Sequence, residues 1–351
     1  MKAQRTRHCL VIALLVLVGG PSLVGVRSEP TEKAHLDGFN VIASETHPFG
    51  SKAARQSLAG AKMLGARAVA IVFFLWQQTP SSPKLERGSD TSDGQLRAAI
   101  RDAHALGLKV VVKPHVWIPT SWAGAVAMTS EADWHEWFAN YQRELSNVAK
   151  IASGEGAEAL AIGTELSWTE QRPEWQGLID AARKLYPGRL FYLAHNCDGV
   201  EKVPFWDRLD AVGATLYPPL GDDTDRDAHR RIMREAADCL EAAASRYRKP
   251  VVVGEIGLRS ATGAAAKPWE SPEERKSEPD PQLQSAVIAD WLEALDRPSI
   301  EGVLVWSWLT DPHAGGLADT DFTVQNKPAE RVLASAWTRI CDRDHAAIGV
   351  H

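Results

Sequence analysis

The chain reads as an α/β protein built as a single closed (β/α)8 barrel, and three features lead there. Eight short apolar runs rich in β-branched residues recur along it. Amphipathic helical stretches lie between them. From the second run onward, each carries a polar or aromatic residue where it ends.

The runs, in order, are FNVIA (39–43), AVAIVFFLW (68–76), KVVVKPHV (109–116), ALAIGTEL (159–166), LFYLAHN (190–196), AVGATLY (211–217), PVVVGEIG (250–257) and GVLVWSW (302–308). Their nearly continuous apolar character predicts strands covered on both faces, as in parallel sheets. DGQLRAAIRDAHALG (93–107) and DWHEWFANYQRELSNVAKIA (133–152) have helical spacing. In the second, Trp134, Phe138, Tyr141, Leu145 and Val148 predict one buried face. Eight β-α units in one chain fit a TIM barrel. A doubly wound open sheet fits less well, because no Gly-rich phosphate loop follows the first run. Length alone also allows two smaller domains, but no linker or low-complexity segment divides the chain. The unpatterned stretches 117–131 and 259–281 each follow a run, which predicts extended βα loops at the C-terminal face, where such barrels place their sites.

The N-terminus has the order of a secretory signal: basic MKAQRTRH, apolar CLVIALLVLV, then small residues up to Ser28. Cleavage there leaves a catalytic domain over 29–345, secreted or periplasmic. The apolar run is about half the ~20 residues that cross a bilayer, and Cys9 opens the run instead of following it, so no stable membrane anchor is expected. Residues 1–28 hold four bases (Lys2, Arg5, Arg7, Arg27) and no acid, so their removal takes the formal charge from −6 to −10. An acidic chain without a basic tract argues against nucleic acid as a partner. The three remaining cysteines, Cys197, Cys239 and Cys341, are no disulfide framework; one bridge can form, with the pair left open. A monomer is expected.

The residues at the run ends are Trp76; His115 and Trp117; Glu165 and Trp168; Asn196; Tyr217; Glu255; and Trp306 and Trp308. Glu165 and Glu255 each close a run that holds no other acid. One such carboxylate could merely cap the barrel with hydrogen bonds. Two of them, from the fourth and seventh runs, point to a site in which one acid protonates a leaving oxygen and the other attacks an anomeric carbon. The aromatics suit that substrate, because flat side chains stack on the apolar faces of sugar rings. There are 13 Trp in the chain, and Trp122 and Trp269 add to the cluster from the loops. Lys113 and His115 share one strand face, but no second His stands at ligand spacing. Neither a metal, a Schiff base nor any cofactor is expected. Ser260 and Cys197 lack the context of nucleophiles and read as structural.

These motifs resemble the glycoside hydrolases of clan A, and most closely glycoside hydrolase family 113. The pieces that carry the likeness are KPHV with the later SWAG, IGTELSW, FWDRLDAVGATLYPPL, VVGEIGLRS, VWSW and DTDFTVQNKPAERVL. The likeness runs from GFNV at 38 to NKPAERVL at 326–333. Members of that family are chiefly retaining endo-β-1,4-mannanases, so the resemblance implies a polysaccharide or oligosaccharide substrate. It also implies Glu165 as acid/base and Glu255 as nucleophile. Thr164 precedes the acid/base, as in the family, whereas Cys197 stands where an aromatic is expected after Asn196. On that basis Tyr217 is expected to hydrogen-bond Glu255, Asn196 and His115 to orient sugar hydroxyls, and Trp306 to stack beneath the ring. Glu165 is expected to sit where its proton affinity is raised. Two alternatives remain open: a β-glycosidase of another backbone, such as glucan or an exopolysaccharide, and a non-catalytic sugar-binding barrel.

Overall fold

The structure, a computed structural model, describes residues 35–119 and 121–348, with side chains through 339. The segment 1–28, read as an export signal, and the side chain of Cys341 lie outside the described residues. Nine strands and eight helices follow one another in the described chain. They are β1 (Gly38–Ile42), α1 (Lys52–Met63), β2 (Ala68–Trp76), β3 (Glu86–Arg87), α2 (Asp93–Ala105), β4 (Lys109–Trp117), α3 (Glu131–Glu155), β5 (Ala159–Thr164) and α4 (Glu174–Leu185). Then come β6 (Arg189–His195), α5 (Asn196–Lys202), β7 (Ala211–Leu216), α6 (Arg226–Tyr247), β8 (Val251–Ile256), α7 (Pro281–Ala294), β9 (Ile300–Leu309) and α8 (Ala329–Ile348).

Eight of these strands pair in parallel around a closed ring, β1-β2-β4-β5-β6-β7-β8-β9, and β9 returns to β1. All eight predicted strands are present. The two-residue β3, which lies antiparallel on β2, was not foreseen: Glu-Arg carries no strand pattern. Helix starts are set by local side chains. Ser51, Ser130, Asp225 and Asp280 each accept a backbone N–H as N-caps, and Ser92 forms a capping box with Gln95. The α3 face predicted from its spacing is buried as expected.

Two apolar layers result. One lies between sheet and helices and holds the aromatic group Trp137, Tyr141, Trp175, Tyr192 and Phe205. The other fills the lower barrel interior, where Phe191, Leu193 and Leu304 interlock with Ala68, Ala70, Ala159, Ala161 and Ala211. Small residues opposite large ones let the side chains of eight strands fit inside the ring. Above that plug the interior turns polar, with Asn40, Lys113 and Glu255.

Candidate active site

Both predicted acids follow an interruption of the strand register. The β5–β6 pairing slips between Ala161 and Thr164, and the β7–β8 pairing slips between Ala214 and Thr215, opposite Gly254. A slip of this kind re-aims the side chains beyond it. Glu165 was expected inside the strand but stands just past its end, with φ at 56°. That left-handed geometry, disfavoured for an acid by about 1–2 kcal/mol, is held by its own N–H on the Leu193 carbonyl at 2.8 Å. Gly254 is required where it stands, since a Cβ there would run into Leu193.

Glu165 Oε1 accepts two hydrogen bonds, from Thr215 Oγ1 at 2.5 Å and His195 Nδ1 at 2.9 Å. Burial alone would raise this carboxyl. The hydrogen bond from His195 and the charge its ring carries when protonated, with smaller help from a protonated His115 and from Thr215, outweigh it and bring Glu165 down to about 2. Burial pushes His195 down in turn, and Glu165 more than reverses that. The expectation of a raised Glu165 is therefore not met, because two donors already stabilise its charge.

Glu255 is held by a different set. Its Oε1 takes a short hydrogen bond from Lys113 Nζ, and its Oε2 accepts from the Tyr217 hydroxyl at 2.9 Å. Lys113 is fully buried. It also donates to Asn40 Oδ1 at 2.7 Å and lies 5.2 Å from the centre of the Trp306 ring. Asn40 is anchored through Nδ2 to the Gly254 carbonyl at 2.9 Å. Burial lowers the Lys113 ammonium, and Glu255 opposes the change. Tyr217 is driven up, first by burial and then by the charges of Glu255 and Glu165, so it stays a donor. Thr215, which donates to Glu165, stands in register with Glu255 on β8, so the two acids open on one cleft, and Lys113, His115, His195 and Tyr217 each feel the charge of both carboxylates.

His115 faces that cleft with an unpartnered buried Nδ1 among the described residues. Burial lowers its proton affinity, so it is a neutral group suited to a hydroxyl. Trp306 lies beside it at 6.3 Å, and Trp117 packs edge-on against Phe74 and Trp76. Trp122, from the loop after β4, meets the His195 ring at 5.0 Å. Trp76, Trp117 and Trp122 are each 43% exposed. Trp168 and Trp269, on the loops after β5 and β8, are more exposed and join none of these aromatic pairings among the described residues. Trp308 departs from expectation: it is buried against Ser57, outside the cleft. So does Asn196, whose amide is engaged by protein at both ends, Oδ1 on the Tyr217 N–H and Nδ2 on His195.

Sequence reasoning missed Asn40, Thr215 and His195, and set Lys113 aside as neither metal ligand nor Schiff base. A lysine within VVVKP and a lone Asn within FNVIA each need a buried partner, and that need was the available signal. Cys197 and Cys239 form a disulfide that ties α5 to α6. Away from the cleft, Glu131, His135 and Glu174 bring ligand atoms within 4.8 Å of one another. Arg172 already pairs with both of these acids at 2.7 Å. No helix among the described residues is long and apolar enough to cross a membrane.

Comparison with solved structures returns barrels of this kind. A β-mannanase, AaManA from Alicyclobacillus acidocaldarius in complex with ManMIm, superposes with a TM-score of 0.76 at 24% identity, over 88% of this chain and 100% of that one. GH5_18 from Streptomyces cattleya in complex with GlcNAc gives 0.56 at 15%, over 87% and 80%. Both likenesses speak for the fold alone. A GH113 β-1,4-mannanase gives a TM-score of 0.75 at 26% identity, over 87% of this chain and 99% of that one. No curated protein matches the chain. The model of Glycoside Hydrolase Family 113 matches residues 39–327, most of the chain, and the protein therefore belongs to that family of glycoside hydrolases.

Proposed function

We propose that the protein is a secreted endo-β-1,4-mannanase that retains anomeric configuration by double displacement through Glu165 and Glu255. Glu255 attacks the anomeric carbon while Glu165 gives its proton to the leaving oxygen. Glu165 then takes a proton from the water that cleaves the glycosyl ester, and the two inversions restore the starting configuration. The observation that carries this reading is the contrast between the two acids. Glu255 is clamped by an ammonium and a phenol, two donors that hold its oxygens in place for attack, while Glu165 is bound to an imidazole and a hydroxyl. The choice of mannan is supported by the β-mannanases among the family relatives. Trp76, Trp117 and Trp122 offer exposed platforms for a glycan, and His115 and Trp306 offer contacts deeper in the cleft.

Azide separates the roles. With Glu165→Ala, an aryl β-mannoside whose leaving group needs no proton still forms the covalent intermediate, and azide yields a β-glycosyl azide. With Glu255→Ala, azide attacks the opposite face and yields the α product. The reverse pattern would overturn the assignment. A retaining pair also implies carboxyl groups about 5–5.5 Å apart, and proton NMR of the first anomer released reads the stereochemistry directly. Reducing-end release from mannan, glucomannan, cellulose, xylan and mixed-linkage glucan tests the backbone; preference for any but the first two would sink the mannanase reading.

A further inference from the structure

Tyr217, Asn196, His195 and Glu165 form a chain of hydrogen bonds that starts at a group that cannot titrate. The Tyr217 backbone N–H donates to Asn196 Oδ1 at 2.7 Å. That fixes the amide, whose Nδ2 lies 3.0 Å from His195 Nε2. An amide nitrogen only donates. Nε2 must then present its lone pair, and the ring's single proton sits on Nδ1, 2.9 Å from Glu165 Oε1. Thr215 Oγ1 donates to the same oxygen at 2.5 Å. Two donors converge on Oε1, which leaves Oε2 to carry a proton.

We propose that Asn196 and His195 are positioning residues: they hold the imidazole neutral, as its Nδ1–H tautomer, and so assign the transferable proton of Glu165 to Oε2. The inference rests on reading Glu165 as acid/base. The charged groups around the ring are Glu165 at the end of β5, Glu170 in the turn after it and Glu255 on β8, while Trp122 covers it edge-on at 5.0 Å. These carboxylates draw a second proton toward Nε2. Such a proton would point at the Asn196 amide hydrogens. Turning the amide over removes that clash only by aiming Nδ2 at the Tyr217 N–H, so the neutral ring prevails. The consequence is chemical. A neutral donor steadies Glu165 in both of its protonation states, whereas an imidazolium would hold it as the anion and withhold its proton from the leaving oxygen.

Asn196→Asp is the direct test, because the same shape then accepts from Nε2 and favours the charged ring. The alkaline limb of kcat/KM should move down by about one pH unit and mannan turnover should fall about tenfold or more. A dinitrophenyl β-mannoside, which needs no proton, should form the covalent intermediate at a rate within about twofold of wild type. In the background of His195→Gln, which removes the ring that would become charged, the downward shift of the limb should vanish. Nitrogen-15 NMR of histidine-labelled wild-type enzyme, with His195→Gln for assignment, needs no altered Asn196 and should show Nε2 of His195 unprotonated. A protonated Nε2 in the wild type, or equal slowing of both substrates without a shift of the limb, overturns the proposal. Glu165→Ala separates this from the underlying reading. If that variant fails to distinguish the two substrates, Glu165 is not the acid; if it distinguishes them and Asn196→Asp does not, the positioning role alone falls.

Discussion

Lys113 has three hydrogens to place, and it places them on Glu255, on Asn40 and toward the Trp306 ring. A buried charge stripped of its partner typically costs a protein about 3–5 kcal/mol. Lys113→Met should therefore lower the melting temperature and reduce kcat by about a hundredfold or more, read by calorimetry and by mannan hydrolysis. Arg should not substitute, because its planar fork needs room that a fully buried ammonium site lacks. Full activity in Lys113→Met would show that the ammonium is ornamental. Glu170 gives a prediction of opposite sign. Burial, against the hydrogen bond from Tyr192, pushes its carboxyl up to about 7. The unfolded chain releases that proton first, so the contribution is full below about 4.5 and is lost as pH rises to about 7. Glu170→Gln, which keeps an acceptor for Tyr192, should thus stabilise the protein at pH 8 by up to about 3 kcal/mol. The gain should shrink toward zero near pH 4.5 in denaturant titrations; a pH-independent gain would contradict it. Both residues show where sequence reading stops. The isolated lysine in VVVKP was visible, but its partner lies 142 positions away, and alternation along a strand names a face without naming what the face meets.

At the scale of elements, the eight barrel strands were legible because apolar runs of that length are hard to place anywhere else. Their ends were not. Glu165 and Asn196 both adopt left-handed backbone, with φ at 56° and 52°, and so end their strands earlier than hydrophobicity implies. The slips of register before the two acids escaped for the same reason: a bulge is a backbone event, and Gly163 and Gly254 are its only traces in the sequence. The close packing inside the ring can be tested at Gly213 on β7. A Cβ there would run into the Tyr192 carbonyl and approach Leu193 Cδ2 to 2.8 Å. Gly213→Ala should destabilise the barrel by about 1–3 kcal/mol, measured as a lower urea midpoint with unchanged slope. The tie between α5 and α6 is testable as well. A bridge closing 42 residues restricts the unfolded chain by about 4 kcal/mol in the chain-entropy account, and Cys239→Ser should lose a stability of that order while leaving the carboxylates in place.

For the whole molecule, the disulfide and the N-terminal segment make one joint prediction. Bridges of this kind form and persist outside the reducing cytosol. Exported protein should begin near Glu29 and show no free thiol at Cys197 or Cys239. The same domain made in the cytosol without residues 1–28 should react with a thiol reagent at both positions and melt at a lower temperature. Exported material that still begins at Met1 would refute the leader.

The closed ring also divides responsibility for the chemistry. Asn40 and Lys113 belong to β1 and β4, whereas Glu165, His195, Thr215, Tyr217 and Glu255 follow from the end of β5 onward. A piece of chain ending at α3 holds the ammonium and no catalytic acid; the remainder holds both acids and lacks the ammonium. Neither half therefore carries the full proposed set, and β1 finds one of its two ring neighbours only after β9 has been made. On the proposed roles, activity should therefore begin only once the first strand has met the last, so that a chain halted before β9 should show no hydrolysis of mannan.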